Sequence, residues 1–387
     1  MSQAFDYLVI GGGCIGVSIA WHLAKRNAGS IALLEREKFL GTESTGKCAG
    51  GVRAQFSTEV NTQLSLYSLS AFERFEEELG HPLQFFQWGY LFLLFGDEQE
   101  AAFRKSREMW QRNGMDVEWL EPAAITERFP YVNMEGVTAA TLHMRDGFVD
   151  PNDITQGYAK AARELGSTEL TEHEVTGLVR DPSGKRIVGV ETKQGTIGVN
   201  KGVVFATGAW TKQLGAMVDV EIPIEPYRRQ ILVTKKFDAI PTPFPMTVDM
   251  NSGLYFHPES GGVLIGLADK NEPPSFNQAL NEDFSDEMLM TALERCPALE
   301  EAAILRGWAG LYETTPDHHP IIDRVGELEN AWLCAGFSGH GLMHAPAAGL
   351  VSAELILDGK ASSIDISRLR LNRFDDPSAL MDEANVI

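Results

Sequence analysis

The run Phe5-Asp6-Tyr7-Leu8-Val9-Ile10-Gly11-Gly12-Gly13-Cys14-Ile15-Gly16 decides the fold of this 387-residue chain. Residues 5–10 are largely apolar, which predicts a buried parallel strand. Gly11, Gly13 and Gly16 then stand in the spacing G-x-G-x-x-G at a strand-to-helix turn. In such a turn the first glycine permits the tight reversal and the second lets the backbone approach a pyrophosphate. The third lets the helix pack close to the strand. Ile15, Ile19 and Leu23 recur at helical spacing and predict a helix from about Cys14 to Lys25, ending near Asn27-Ala28-Gly29. Its amino end offers free N–H groups and partial positive charge to phosphates. A second strand, Ile31-Ala32-Leu33-Leu34, leads to Glu35, nineteen positions after Gly16. A carboxylate there accepts hydrogen bonds from an adenosine ribose. The glycines alone are a weak signal, but strand, glycines, helix, strand and acid in one short unit predict a bound dinucleotide. The motif does not separate FAD from NAD. Its place at the start of a long chain favours FAD.

Hydrophobic residues make up 44% of the chain and charged residues 22%, so a packed core is expected. No run of about 18 apolar residues occurs, so no membrane span is expected. The net charge of −21 disfavours nucleic acid and anionic membranes as partners. Cys14, Cys48, Cys296 and Cys334 are scattered without metal spacing and read as free thiols, with no metal site. With the first strand beginning so early that no signal peptide fits before it, a cytoplasmic location is expected.

Further along, Thr58 to Leu79 predicts one long helix ended by Gly80-His81-Pro82, and Asp97 to Asn113 a charged helix. Glu174 to Thr196 reads as a meander of short strands turning at Asp181-Pro182-Ser183-Gly184. Gly202-Val203-Val204-Phe205-Ala206-Thr207-Gly208-Ala209-Trp210 predicts a buried strand running into a glycine turn beside the first strand. Residues 221–309 alternate short strands with proline-rich turns and read as a second domain covering a ligand. Trp332-Leu333-Cys334-Ala335 is a strand, Gly336-Phe337-Ser338-Gly339-His340-Gly341 a loop, and His344 to Leu357 a helix. A strand, glycine loop and helix near each end of the chain predict that both ends meet at the cofactor.

Gly11/Gly13/Gly16, Glu35, Ala206-Thr207-Gly208, Thr315-Pro316-Asp317 and the 336–341 loop occur in the order of the D-amino-acid oxidase/glycine oxidase superfamily, which the chain resembles over nearly its whole length. Gly50-Gly51-Val52-Arg53-Ala54-Gln55-Phe56 and Gly339-His340-Gly341-Leu342-Met343-His344-Ala345-Pro346 resemble its sarcosine-oxidase β-subunit-like and amine-dehydrogenase branch. The mitochondrial FAD-dependent oxidoreductase-domain proteins, linked to respiratory-complex assembly, share these stretches. The resemblance implies an α/β, Rossmann-type FAD-binding domain assembled from residues 1–80, 141–220 and 310–374. It also implies an α+β domain, residues 81–140 and 221–309, whose antiparallel sheet covers the flavin. Residues 375–387 are expected to form a loose acidic tail. The implied reaction is oxidation of the C–N bond of a secondary or tertiary amine or amino acid.

The same resemblance assigns FAD contacts to Gly11, Gly13, Cys14, Ile15, Gly16, Glu35, Arg36, Thr45, Lys47, Gly50, Gly51, Val175, Thr207, Gly208, Trp210 and Gly310. It continues through Gly336, Ser338, Gly339, His340, Gly341, Leu342 and Met343. Arg53, Tyr255 and His340 are the candidate catalytic residues. Arg53 offers a bidentate fork to a substrate carboxylate or a flavin carbonyl, a surface arginine being the competing reading. Tyr255 matches a pocket tyrosine and reads equally as a core residue. The loop Gly339-His340-Gly341, before a helix, suits negative charge on a reduced flavin; a plain glycine turn is the alternative. Lys47 reads as near the flavin ring or as a loop lysine. His318 and His319 read as loop histidines near the flavin.

Departures from the family pattern refine these expectations. Gly310 stands where some members attach FAD to cysteine, which implies dissociable FAD, with Cys48 a remote covalent alternative. Leu264 stands where monomeric sarcosine oxidases carry a lysine that promotes reaction with dioxygen. Met343 and Tyr312 stand where relatives carry a lysine and an arginine for substrate carboxylates. The expected protein is a dehydrogenase rather than a fast oxidase, acting on a sarcosine-, glycine- or proline-like substrate. Its electron acceptor is dioxygen or a redox partner, and it works as a homo-oligomer or a heteromeric subunit. The alternatives are a flavoprotein assembly factor, with the 58–79 helix and acidic surface facing a partner, or the catalytic subunit of a heteromeric amine dehydrogenase.

Overall fold

A computed structural model describes residues 3–386. The strand Ala4–Ile10 lies between Ile31–Leu34 and Gly195–Phe205, parallel to both, with Ile10 opposite Leu34 and Phe205. Thr168–Leu170 extends this sheet beyond Ile31–Leu34, and Ala331–Ala335 extends it beyond the carboxyl half of Gly195–Phe205. All five strands are parallel, and their facing residues are mostly Val, Ile, Leu, Ala and Phe, as a sheet covered on both sides requires. The meander between residues 174 and 196 forms as predicted, Val175–Arg180 pairing antiparallel with Ile187–Thr192 and that strand with Gly195–Phe205.

The helix Cys14–Lys25 packs against Gly341–Asp358 and Pro151–Glu164. Its approach to Gly341–Asp358 is so close that a Cβ on Gly349 would sit 2.1 Å from Ser18 Oγ. The helix from the beginning of the chain is therefore built against the helix near its end. The single helix predicted over 58–79 is two, Glu59–Glu73 and Phe75–Leu79, divided at Arg74. Leu64, Leu69 and Phe72 are buried, and the longer helix packs on Gly341–Asp358. Its apolar face is thus spent inside the molecule.

A second sheet of eight strands runs in the order Ile304–Thr314, Glu225–Thr234, Gly262–Leu267, Tyr255–Glu259, Met246–Asp249, Tyr90–Leu94, Ala139–His143, Glu118–Leu120. Its pairs are antiparallel except Met246–Asp249 with Tyr90–Leu94. Two of the expected domain boundaries cut through its strands. Ala139–His143 and Ile304–Thr314 each belong whole to this sheet, the latter pairing with Glu225–Thr234 as far as Glu225 opposite Thr314. A continuous hydrogen-bond ladder determines where these strands end, and the segments implied by the resemblance divide it. In a small third sheet Gly147–Val149 pairs with Gly51–Val52 on one side and Phe85–Phe86 on the other.

The expected loose tail is a correction. Glu383 is 1% exposed and Asn385 3% exposed. Glu383 accepts hydrogen bonds from Ser57 N (2.6 Å), Ser57 Oγ (2.6 Å), Thr58 Oγ1 (2.7 Å) and Asn61 Nδ2 (3.1 Å). It thereby caps the amino end of Glu59–Glu73, where an anion is favoured. Arg373, buried and forked onto Asp317 at 2.8 and 2.9 Å, ties down the segment leading to it. The acidic composition that suggested solvation instead meets a set of donors supplied from elsewhere in the chain.

Candidate active site

A long cleft opens at the carboxyl ends of the parallel strands, lined by Ile10, Leu34, Ala206 and Cys334. Ligands bind at that edge of doubly wound sheets because the helices that follow the strands point their amino ends there. Gly11, Gly13, Cys14 and Ile15 line the cleft, and Gly13 caps Cys14–Lys25 without a side-chain hydrogen bond. Cys14 N donates to Thr45 Oγ1 at 3.2 Å. Gly11 has φ +111, and a Cβ on it would meet Ala206 O at 2.2 Å. Gly16 is set back from the cleft, and a Cβ on it would meet Gly11 O at 1.8 Å, so its function is helix-to-strand packing.

Glu35 lies at the cleft wall with both carboxylate oxygens held, Oε2 by Gly12 N and Oε1 by Glu37 N, each at 2.8 Å. Burial pushes its pKa up, and these hydrogen bonds work against that rise. Arg36 places its guanidinium 3.8 Å from the centre of the Trp210 ring, which stacks on Phe276 at 5.5 Å. Val175, Thr207, Gly208 and Trp210 complete this end. At the other end Gly339, Gly341 and Leu342 line the cleft. The helix expected from His344 begins earlier, at Gly341, with His340 as N-cap and no side-chain cap. A second helix amino end therefore faces the cleft.

A smaller cavity adjoins, sharing Cys48, Tyr312, Gly339 and Leu342 with the cleft. Gly50, Gly51, Arg53, Tyr255, His340 and Met343 line it, with Tyr90 and Met246. The structure thus brings all three candidate catalytic residues together from distant parts of the chain. Burial pushes the Tyr255 and Tyr312 hydroxyls above the ordinary tyrosine range, so both stay protonated. Burial, with Arg53 nearby, pushes His340 well below the ordinary histidine range, so its ring is neutral.

Arg53 is 1% exposed, which removes the surface reading. Ala54 N donates to the buried Asp146 at 3.1 Å and fixes this stretch of chain. Arg53 Nη1 donates to Gln55 O at 3.1 Å. Nη2 donates to Asn385 O and, at 3.3 Å, contacts His340 Nε2, the acceptor nitrogen of a neutral ring. Either fork of a guanidinium needs an Nη2 hydrogen, and both are engaged. The expected bidentate grip on a substrate carboxylate therefore has no room, and Arg53 faces the cavity as a fixed positive charge.

Four other expected contact residues lie outside both linings. Lys47 turns to Glu43 (2.9 Å) and Gln278 (2.5 Å). Gly310 backs against Lys47, whose Cβ a side chain there would meet at 2.9 Å. Gly336 and Ser338 shape the turn before Gly341–Asp358, both at positive φ (80 and 51). His319 is buried and contacts Thr58 Oγ1 at 2.9 Å, whereas His318 lies 3.7 Å from Asp382.

Residues 6–355 match the family described as FAD dependent oxidoreductase, DAO. The chain belongs to this family. Among solved structures it is similar to L-proline dehydrogenase from P. horikoshii, with TM-score 0.89 and 34% identity, covering 97% of this chain and 99% of that one. It is 31% identical to the mitochondrial dimethylglycine dehydrogenase of Rattus norvegicus over 95% of this chain, but spans only 45% of that protein. It is 28% identical to sarcosine oxidase subunit beta of Arthrobacter sp, covering 96% and 92% of the two chains.

As a DAO-family oxidoreductase the chain uses FAD, and its own residues fit that group. The cradle around Gly11, Gly12 and Gly13 is one that side chains would fill, since a Cβ on Gly12 would meet Leu40 Cδ2 at 2.6 Å. Both helix amino ends lack side-chain caps. Ser44 Oγ and Glu313 Oε2, on residues of the cleft wall, are buried without a partner. Sequence reading missed Glu313, whose carboxyl burial pushes up to about 7, and it missed Tyr90 and Met246. No motif marks the last two, because they reach the site from the second sheet. Glu313 stood two positions before the quoted Thr315-Pro316-Asp317 and was the nearest to a legible signal. Among the described residues no helix is long and apolar enough to cross a membrane.

Proposed function

We propose that this protein oxidises the C–N bond of a small secondary or tertiary amine or amino acid, holds FAD without a covalent bond, and works as a dehydrogenase rather than a fast oxidase. The observation that carries the reading is the aromatic cavity joined to the cofactor cleft at Cys48, Tyr312, Gly339 and Leu342. FAD supplies the electron chemistry, accepting a hydride from the carbon next to nitrogen. The chain's residues select, orient and desolvate the amine. Tyr90, Tyr255, Tyr312 and Met246 wall the cavity, and a cavity of that chemistry holding the Arg53 cation favours a neutral amine over an ammonium ion. No strong base is needed once the amine enters neutral. Arg53 and the amino end of Gly341–Asp358 stabilise negative charge that develops beside them.

Leu264 supports the dehydrogenase reading. It is 3% exposed within the apolar core and offers no positive charge to dioxygen. Gly310 and the half-buried Cys48, whose thiol desolvation pushes up to about 11, support non-covalent FAD. The named activities of the relatives, on proline, dimethylglycine and sarcosine, support the substrate class. The test is the visible spectrum of the purified holoprotein, mixed without oxygen with N-methylated amino acids and proline. Bleaching of the flavin, followed by faster reoxidation with a dye acceptor than with air, is the expected result. A flavin that no amine in a broad panel bleaches ends the proposal.

A second reading keeps the reaction and makes the chain one subunit of a heteromeric dehydrogenase. The relative named as a subunit supports it, as do Ile304 and Leu305, exposed at 38% and 55% on the end strand of the second sheet. Copurification of a second redox subunit is its test.

A further inference from the structure

The two neighbours of Arg53 in the chain are both tied to one turn. On one side Val52 pairs with Gly147 in the small third sheet. On the other side Ala54 N donates to Asp146 Oδ1 at 3.1 Å. A Cβ on Gly147 would sit 1.9 Å from Phe86 O, so the backbone beside Asp146 has no room to shift. Gln55 Nε2 donates to Tyr90 O at 2.9 Å and, at 3.4 Å, to Asp146 Oδ2. Gln55 O accepts from Arg53 Nη1. Asp146 therefore holds the main chain beside Arg53 and also the residue that receives its guanidinium.

Asp146 is fully buried and His143 is 3% exposed, and neither lines the cleft or the cavity. His143 Nδ1 donates to Asp146 Oδ1 at 2.7 Å. Burial alone would lower the His143 pKa, but the Asp146 carboxylate outweighs it and raises the pKa above the ordinary histidine value. A buried pair of this kind adds little net stability over apolar side chains of like volume. What it supplies here is direction. His143 ends the strand Ala139–His143, opposite the cavity residue Tyr90, and sets the carboxylate so that its oxygens meet Ala54 N and Gln55 Nε2. We propose that Asp146, oriented by His143, is a positioning residue for the oxidation and fixes the Arg53 charge against the substrate cavity. This role rests on the amine-oxidation reading above.

Three measurements on the FAD-loaded protein test it. They are the limiting rate of anaerobic flavin reduction by the fastest of proline, sarcosine and dimethylglycine, the reduction potential of the bound flavin, and the midpoint of chemical unfolding. Asp146→Asn keeps the side-chain shape but loses the charge and one acceptor oxygen. It should lower the limiting rate at least about tenfold. It should also lower the potential by about 30 mV, the equivalent of a tenfold weaker hold on the reduced flavin in a two-electron couple. His143→Leu should move both readouts the same way. His143→Asn, whose amide takes the place of Nδ1, should stay within about twofold of the wild-type rate. The two His143 variants carry the test if Asp146→Asn does not fold. Added to Arg53→Gln, Asp146→Asn should change the rate by less than about twofold, since its effect runs through Arg53. An unfolding midpoint that falls while rate and potential keep their wild-type values overturns the role. A full tenfold loss on top of Arg53→Gln, or equal loss in both His143 variants, overturns it too. A wild-type flavin that no amine reduces counts against the oxidation reading alone, and the potential of Asp146→Asn then decides on Asp146.

Discussion

Arg53 donates from Nη2 to the backbone carbonyl of Asn385, 332 positions further along the chain. Asn385 in turn donates from Nδ2 to Gln55 O at 3.0 Å. The last described residues are thus bonded to the wall of the cavity that Arg53 lines, and Glu383 pins them to the helix beginning at Glu59.

Removing the Glu383 carboxylate leaves Ser57, Thr58 and Asn61 donors buried without an acceptor. Glu383→Ala should destabilise the protein by about 2–4 kcal/mol, read as a lower midpoint in chemical unfolding. Burial alone would raise this carboxyl's pKa, but hydrogen bonds from Ser57 and Thr58 outweigh it and lower the pKa overall. A group lowered on folding contributes stability above its unfolded pKa and loses it as pH falls through the folded value. The wild type should therefore lose its advantage over the variant below about pH 4.5. An advantage that is flat with pH would count against the cap.

Glu313 has the opposite sign. Its folded pKa, about 7, lies above the ordinary 4.5, so the folded state holds the proton longer. Its contribution to stability is complete below the unfolded pKa and is lost as pH rises towards 7. Glu313→Gln should gain on the wild type between pH 5 and pH 8 in the FAD-free protein, by roughly 2–4 °C in Tm. FAD affinity of the wild type should fall over the same interval, because a carboxylate forms in a cleft built for phosphates. That fall should be absent from the variant in a fluorescence titration with FAD.

Gly11→Ala places a methyl 2.2 Å from Ala206 O at a φ of +111, and neither strand can retreat from the parallel ladder between them. The purified variant should carry little FAD, seen as loss of absorbance near 450 nm. Gly114→Ala, also at positive φ but in open space, should keep its FAD and lose only about 1 kcal/mol of stability. Equal FAD content in the two variants would contradict the close-approach argument.

Acid precipitation of the holoprotein should leave all the yellow colour in the supernatant, since no nucleophile stands at Gly310 and the Cys48 thiol is held protonated. Colour remaining with the pellet would identify a covalent link, and peptide mapping would locate it.

The nucleotide half of the site was legible because it is local. Gly11, Gly13, Gly16 and Glu35 lie within one strand-helix-strand unit whose geometry follows from glycine freedom and apolar periodicity. The loop from Gly336 to Gly341 was legible for the same reason, although its helix starts earlier than the apolar pattern indicated, because His340 carries the N-cap. Lys47 was left open between a flavin neighbour and a loop lysine, because a lysine in a glycine-rich stretch does not reveal that Glu43 and Gln278 will claim its ammonium group. The acidic tail was misread because burial depends on partners far away in the chain.

By itself the sequence determined the parallel strands around Ala4–Ile10 and a dinucleotide at their glycine turn, because periodicity and glycine spacing act over a few residues and need no distant partner. Tertiary structure alone decided which charges are engaged by distant partners and which are left without an opposite charge. It set Arg53 against Asn385, left Arg229 without an acid among the described residues and carried Tyr90 and Met246 to the wall. The physical reason is that a hydrogen bond or ion pair is a property of two groups, and only the folded chain brings the second one within reach.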